Sequence, residues 1–173
     1  MKHKINGFTL LESLISLVLL AIVSSIVLPN LSRILAQNRL DNSMASVFKG
    51  LQLARGYAVS NATNITVCPL VAGSCIKEWQ NDIYVFEDTN GSLSLDNKEF
   101  IIKVIKKINN QDELTYPRKA ITYRADSSIN FMQSGSFIYC NSTYPDLTGN
   151  RITVSQVGRV RILDSDKCEV PNL

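Results

Sequence analysis

The chain has 173 residues, 45% of them apolar and 19% charged, which fits one folded domain with an appendage and excludes an intrinsically disordered chain. The formal net charge is only +3, and Lys2 and Lys4 near the N-terminus supply two of those charges. Bulk charge therefore selects no partner, and a case for nucleic acid must rest on local clustering.

Residues 1–7 read MKHKING, short and basic, and residues 8–28 are predominantly apolar with a single charge at Glu12. The apolar run is long enough to cross a bilayer as a helix. Lys2 and Lys4 precede it, so the positive-inside rule leaves the N-terminus in the cytoplasm and sends the rest outside. An ordinary secretory signal, cut after the apolar run, leaves the Glu12 carboxylate unexplained, and so does a plain signal anchor. An ionisable group in a membrane helix costs about 2.5–3.5 kcal/mol at the centre, less near an interface, and by default needs a partner.

The order Gly7-Phe8-Thr9-Leu10-Leu11-Glu12 behind a basic leader closely resembles the prepilin motif of type IV pilins and type II secretion pseudopilins. The resemblance implies that 1–7 is a leader peptide and that a prepilin peptidase cuts between Gly7 and Phe8. It implies N-methylation of Phe8 and retention of 8–28 as a transmembrane and filament-core helix. It also implies that the Glu12 carboxylate neutralises the terminal amine of a neighbouring subunit, in a low-dielectric core where a paired charge is tolerable and an unpaired one is not. Pro29 removes a helix hydrogen bond and by itself marks a helix end or kink. The resemblance makes it a local melting point used when subunits pack into a filament.

From Asn30 the pattern becomes amphipathic. Leu40, Met44, Val47, Leu51, Ala54 and Ala58 recur at steps of three and four with Phe48 beside them, while Arg33, Arg39, Lys49 and Arg55 lie mostly off the stripe. This half-helix, 29–62, is expected to pack on the sheet of an exported domain. Short apolar runs then predict strands at 65–68, 83–86, 99–105, 121–123, 128–131, 136–140, 151–155 and 158–163. Turn signals separate them at Asn90-Gly91, Gly135, Pro145-Asp146 and Gly149-Asn150. The polar stretch 106–117 reads as an exposed loop. Residues 63–173 are thus expected to form a β-rich globular domain in the periplasm.

The order of these pieces is similar to the GspH/FimT class of minor pilins. The likeness rests on Ala54-Arg55, Ile65-Thr66-Val67-Cys68-Pro69, Cys75, Trp79 and Ile83-Tyr84-Val85-Phe86-Glu87-Asp88. It continues through Ser128-Ile129-Asn130-Phe131, Gly135, Cys140, Arg151-Ile152-Thr153-Val154-Ser155, Gly158-Arg159-Val160-Arg161 and Cys168. It implies an α+β type IV pilin fold, a long N-terminal helix packed on a β-rich domain. One departure is Asn81-Asp82, where the family often carries a glycine before the central apolar strand.

Four cysteines, Cys68, Cys75, Cys140 and Cys168, suggest two disulfides in an exported chain. Zinc is the competing reading, but it favours paired short spacings that these four lack, and the one histidine, His3, lies in the leader. The expected pairing is Cys68–Cys75, closing a small loop rich in turn formers, and Cys140–Cys168, stapling the tail to a strand.

Without a histidine beyond the leader, no Ser-His or Cys-His pair is available. There is no Gly-rich phosphate loop or metal-ligand spacing. Asp82, Glu87 and Asp88 read as solvated turn and strand-end charges. No enzymatic activity, cofactor or metal is expected. The sharpest functional feature is Gly158-Arg159-Val160-Arg161. On a strand, residues 159 and 161 face one side, roughly 7 Å apart, close to the spacing of successive phosphates on one DNA strand. Arg151 on the preceding strand of the hairpin and Lys167 just beyond it widen the patch. Resemblance to the FimT-like branch implies that this Gly-Arg-x-Arg carries DNA binding for natural transformation. The competing reading is arginines decorating the wet face of an edge hairpin.

The sequence reading is therefore a minor pilin of a type IV pilus, priming assembly with other major and minor pilins and binding DNA without sequence preference. It would sit in the inner membrane as a single-pass protein before entering the pilus. The alternative is a type II secretion pseudopilin with no nucleic-acid role. A membrane-tethered periplasmic enzyme is a third class, for which catalytic groups are missing.

Leader processing is directly testable. Intact-mass and N-terminal peptide analysis should find a mature chain that begins with N-methyl-Phe8, and Gly7→Ala should leave the longer form in the membrane. An unmodified terminus near Ser24 or Ser25 would sink the prepilin reading.

Overall fold

The structure, a computed structural model, describes residues 9–147 and 149–165, with the backbone alone at 26–30, 149–150 and 164–165. One helix, α1 (Leu10–Asn61), is followed by nine strands. They are β1 (Ile65–Val71), β2 (Ser74–Cys75), β3 (Ile83–Glu87), β4 (Ile101–Ile105), β5 (Asp112–Thr115), β6 (Ile121–Tyr123), β7 (Gly135–Asn141), β8 (Gly149–Val154) and β9 (Val160–Ser165). The chain divides into two compact units, Met1–Ala36 and Gln37–Leu173.

In the first unit, every large apolar side chain from Leu10 to Val23 is exposed around the whole circumference of the helix. A helix that is apolar all round needs an apolar surrounding. Its serines fit that demand, because Ser16, Ser24 and Ser25 turn their hydroxyls back onto the carbonyls of Glu12, Leu20 and Ile22 at 2.7–2.8 Å. Among the described residues no helix is long and apolar enough to cross a membrane. The run read from the sequence, 8–28, begins at Phe8 and includes side chains that lie outside the described ones, so its transmembrane role rests on the sequence. Helical backbone continues through position 29; the side chain of Pro29 lies outside the described residues.

In the second unit, the stripe Leu40, Met44, Val47, Leu51, Ala54 and Ala58 is buried at every position. The helix ends where Ala62 turns left-handed, with φ of 51°, and Thr63 N–H donates to the Ala58 carbonyl at 3.2 Å. This is the closing geometry usually reserved for glycine. Two antiparallel sheets follow. In the first, β1 pairs with β2, β3 and β6, and β3 pairs with β4. The second has the order β5-β7-β8-β9. Ile65, Val67, Val85 and Ile121 from one sheet share a single apolar cluster with Leu114, Phe137, Ile152 and Val154 from the other and with the helix stripe. Trp79 packs edge-on against Phe137 at 4.9 Å and Tyr116 at 5.3 Å, and its indole N–H donates to the Arg118 carbonyl.

Several sequence expectations are corrected. The stretch 106–117 is not all loop. It contains β5, whose inward positions are Asp112 and Leu114, so a polar residue on the core side hid the alternation. The stretch 128–131 is not a strand. Ile129 makes one isolated bridge to Tyr123, and then Gln133 N–H donates to the Asn130 carbonyl, with Met132 at φ of 59°. Asp88 is not a solvated charge. It is fully buried, accepting from Thr66 Oγ1 at 2.7 Å and from the backbone N–H groups of Ser92 and Leu93, and it thereby fixes the 88–93 loop. Asp82 is a half-buried strand-end charge. The Lys107 backbone N–H, with help from Lys106, holds its carboxyl below the usual range.

A disulfide joins Cys68 to Cys75 across the β1–β2 turn. Cys140 is also disulfide-bonded. Cys168 lies outside the described residues, and its pairing with Cys140 is a proposal.

Asp112 anchors the helix to the second sheet. Its carboxylate accepts from Tyr139 Oη at 2.8 Å and from Asn141 Nδ2, and it forms an ion pair with Arg39 of α1 at 3.7 Å. Asn141 in turn accepts from the Thr143 and Tyr144 N–H groups. Asp112→Ala removes the acceptor that Tyr139, Asn141 and Arg39 share, and urea unfolding should show a loss of about 3 kcal/mol. Asp82→Ala, at a pair whose Lys106 partner is exposed and solvent-screened, should change stability by less than about 1 kcal/mol. Equal effects would contradict the anchoring role.

Candidate functional site

Two regions carry candidate residues, one in each unit. In the first, Gly7 and Phe8 lie outside the described residues. Thr9 is the cap of α1: its Oγ1 accepts from Glu12 N–H at 3.3 Å, and its carbonyl accepts from Ser13 N–H at 3.2 Å. Glu12 is thereby the third helical residue and the acidic group of the first turn. A carboxylate there complements the positive end of the helix and stays at the head of the apolar segment. The Thr-x-x-Glu spacing signals such a cap, and the sequence reading passed over it.

The second region is the β8–β9 hairpin. Its register pairs Arg151 with Leu163, Thr153 with Arg161 and Val154 with Val160. Ile152 and Val154 are buried, whereas Arg151, Arg159 and Arg161 are exposed. Arg159 is not within the strand. It closes the turn, where Ser155 N–H donates to the Arg159 carbonyl at 3.0 Å and Arg159 N–H donates to Ser155 Oγ at 3.2 Å. Arg159 and Arg161 flank Val160, whose side chain packs on the core, so both guanidiniums stay on the solvent side. Arg151 sits two residues back along β8 from the partner of Arg161, roughly 7 Å along the strand. Lys167 lies outside the described residues.

Availability separates these arginines from Arg39 and Arg55, although Arg118 and Arg124 are also exposed without an ion pair among the described residues. Arg39 is held by Asp112, and Arg55 donates to Ser127 Oγ at 3.2 Å. Among the described residues Arg151, Arg159 and Arg161 form no ion pair. The nearby Asp126 carboxylate is occupied locally. Hydrogen bonds from the Ser128 hydroxyl and N–H hold it below the usual carboxylate range.

Gly158 has a different role from its neighbours. Its φ is 72°, and a Cβ built there would fall onto the Ser127 carbonyl oxygen and against the Tyr123 ring. The turn is further clamped by Ile129 N–H donating to the Gln156 carbonyl, and by Gln156 Nε2 donating to the Ile129 and Asn130 carbonyls at 2.6 and 3.1 Å. Glycine thus lets the hairpin turn press on the 124–130 segment, which fixes where Arg159 emerges. Gln156 and Ser127 were not legible as contributors, because their partners lie about thirty residues away in sequence.

The glycine and the arginines should therefore separate experimentally. Gly158→Ala should lower the unfolding midpoint markedly, through a strained backbone and a collision that neither side can relieve cheaply. Arg159→Gln with Arg161→Gln should stay within about 0.5 kcal/mol of wild type per site. A large stability loss in the double variant would assign the arginines to the fold.

The sequence matches the family described as Type II transport protein GspH over residues 44–158, and the prokaryotic N-terminal methylation motif over residues 2–28. No curated protein matches the chain. Among solved structures, the type IV minor pilin FimU of Pseudomonas aeruginosa is similar in two crystal forms. One has a TM-score of 0.60 at 18% identity, covering 78% of this chain and 98% of that one. The other has a TM-score of 0.55 at 17% identity, covering 77% and 99%. The minor pseudopilin EpsH from the Type 2 Secretion System of Vibrio cholerae has a TM-score of 0.53 at 12% identity, covering 73% of this chain and 97% of that one. At such identities the likeness establishes the type IV pilin fold, with its helix packed on antiparallel sheet. The family match spans more than half of the chain, and it is this match, together with the N-terminal motif, that makes the chain a member of the GspH family of pilin and pseudopilin subunits.

Proposed function

We propose that the chain is a minor pilin of a type IV pilus that helps prime assembly and binds DNA through the β8–β9 hairpin. In this reading a prepilin peptidase removes residues 1–7, Phe8 becomes methylated, and the apolar segment holds the subunit in the inner membrane until it joins other pilins. The methylation motif supports the first step, and the exposed large apolar side chains from Leu10 to Val23 support the last. Glu12 at the capped head of that surface is placed to meet a neighbour's terminal amine, and Pro29 is the proposed melting point.

The observation that carries DNA binding is the set of exposed arginines without ion-pair partners among the described residues, presented by a turn that Gly158 and Gln156 lock in place. Such side chains reach phosphates and offer little shape for reading bases, so binding is largely independent of sequence. The pseudopilin reading, with no nucleic-acid role, is favoured by the family's description as a type II transport protein and by the similarity to EpsH.

A gel shift with the full-length chain in detergent micelles decides between them. The DNA reading expects binding on the order of micromolar or weaker at low salt, with a log–log salt slope that falls by roughly 0.9 for each phosphate contact removed. Arg159→Gln with Arg161→Gln should abolish the shift, and Arg151→Gln or Lys167→Gln should weaken it. A folded wild-type chain that fails to shift DNA at low ionic strength would remove the DNA role and leave assembly alone.

A further inference from the structure

Beside the arginine turn stands a second one, Asn130-Phe131-Met132-Gln133, whose two central side chains are large, apolar and exposed. Phe131 is 85% exposed and Met132 60%. The turn is not loose. Asn130 N–H donates to the Thr122 carbonyl at 3.0 Å, and Gln133 N–H closes the turn on the Asn130 carbonyl at 3.2 Å. The Gln133 side-chain oxygen accepts from Thr122 N–H at 2.6 Å, and the Gln133 carbonyl accepts from Tyr116 Oη at 2.7 Å. Met132 holds a left-handed backbone, φ 59°, which a residue with a side chain adopts only when its surroundings impose it. The fold thus spends backbone strain and four anchoring hydrogen bonds to hold a phenyl ring out in water.

The two turns are coupled. Gly135 opens β7 opposite Val154, the last residue of β8, so the 130–133 and 155–159 turns emerge at the same end of the second sheet. The Gln156 amide bridges them directly, through the Ile129 and Asn130 carbonyls. Phe131 follows Asn130 in the chain, and Arg159 lies three residues beyond Gln156 in a closed turn. Val157, 65% exposed at the tip of that turn, extends the apolar surface. An exposed aromatic ring at the same end of a sheet as exposed guanidiniums is the combination that recognises single-stranded nucleic acid: charge tracks the phosphates, and the ring stacks on a base, which only an unpaired strand can offer. Duplex DNA buries its base faces and presents the same phosphates without a partner for the ring.

We propose that Phe131 is a base-stacking platform, so that this face prefers single-stranded DNA to duplex. The proposal rests on the reading of Arg159 and Arg161 as phosphate contacts, and it adds which form of DNA they serve. Phe131 is solvent-facing, so its replacement leaves the core and both turn anchors in place.

The test uses the full-length chain in detergent, with fluorescence anisotropy of a labelled oligo(dT) and of a blunt duplex of equal length, at one low salt concentration. Wild type should bind the single strand more tightly. Phe131→Ala should weaken oligo(dT) binding about 5- to 100-fold and change duplex binding less than about twofold. Phe131→Trp should retain the preference. Trp79, the one native tryptophan, is buried, so the added indole reports on stacking, and oligo(dT) should quench its fluorescence. If wild type binds both forms equally and Phe131→Ala changes neither, stacking is overturned while the arginine reading stands. If wild type binds neither form, the DNA reading itself falls. If Phe131→Ala spares oligo(dT) binding but abolishes co-purification with other pilins, the turn is a protein-docking contact and the proposal is overturned.

Discussion

Both sheets depend on one apolar stripe. Leu40, Met44, Val47, Leu51, Ala54 and Ala58 are buried along the helix, and the strands of both sheets contribute to the same cluster. The second sheet, β5-β7-β8-β9, is a four-stranded ribbon that buries its apolar side in this cluster, while the first sheet carries a further small cluster around Cys68, Cys75, Phe86 and Ala120. The alanines at 54 and 58 set how closely the backbone of the helix approaches. Burial of this kind is non-directional. It gathers the elements without fixing how they sit, so register and orientation come from elsewhere.

Polar groups supply that orientation. Asp112 joins Arg39 of the helix to Tyr139 and Asn141 of β7, while Asp88 joins Thr66 of β1 to the loop after β3. Each carboxylate is buried with its acceptor sites occupied, the condition under which a charged group can remain in a core. Burial also lifts the Tyr116, Tyr123 and Tyr139 phenols above their ordinary range, and of these Tyr116 donates to the Gln133 carbonyl and Tyr139 to Asp112. These groups act on the fold. The side chains of Arg151, Arg159 and Arg161 lie on the exposed side of the hairpin, away from these groups.

The two units carry different surface patterns. From Leu10 to Val23 the helix offers apolar side chains in every direction and satisfies its serines internally, which suits lipid or the packed core of a filament. From Gln37 onward the same secondary structure carries a one-sided stripe and polar residues elsewhere, which suits a domain in water. One helix thus carries two hydrophobic patterns. The cap at Thr9 places the lone carboxylate at the extreme end of the first of them.

Periodicity and local motif determined much of this protein. The apolar stripe, the helix end near Asn61, most strand positions and the N-terminal Gly-Phe-Thr-Leu-Leu-Glu order were legible because each is written in neighbouring residues. Arg159 and Arg161 were expected side by side on one strand, whereas Arg159 closes the turn before β9 and only Arg161 lies in it. The sequence did not reveal β5, where Asp112 occupies a core position that ordinarily reads as polar loop. Nor did it reveal that Asp88 is buried, that Phe131 tops a turn instead of a strand, or that Gly158 is required by Ser127. Each of these turns on a partner brought close only by folding: Tyr139, Asn141 and Arg39 for Asp112, Thr66 for Asp88, Gln156 for the turn below Phe131. A side chain's local pattern states which face it prefers. Whether a polar group may sit inside, or a glycine must sit in a turn, depends on what arrives from elsewhere in the chain to satisfy or crowd it, and only the tertiary structure decides that.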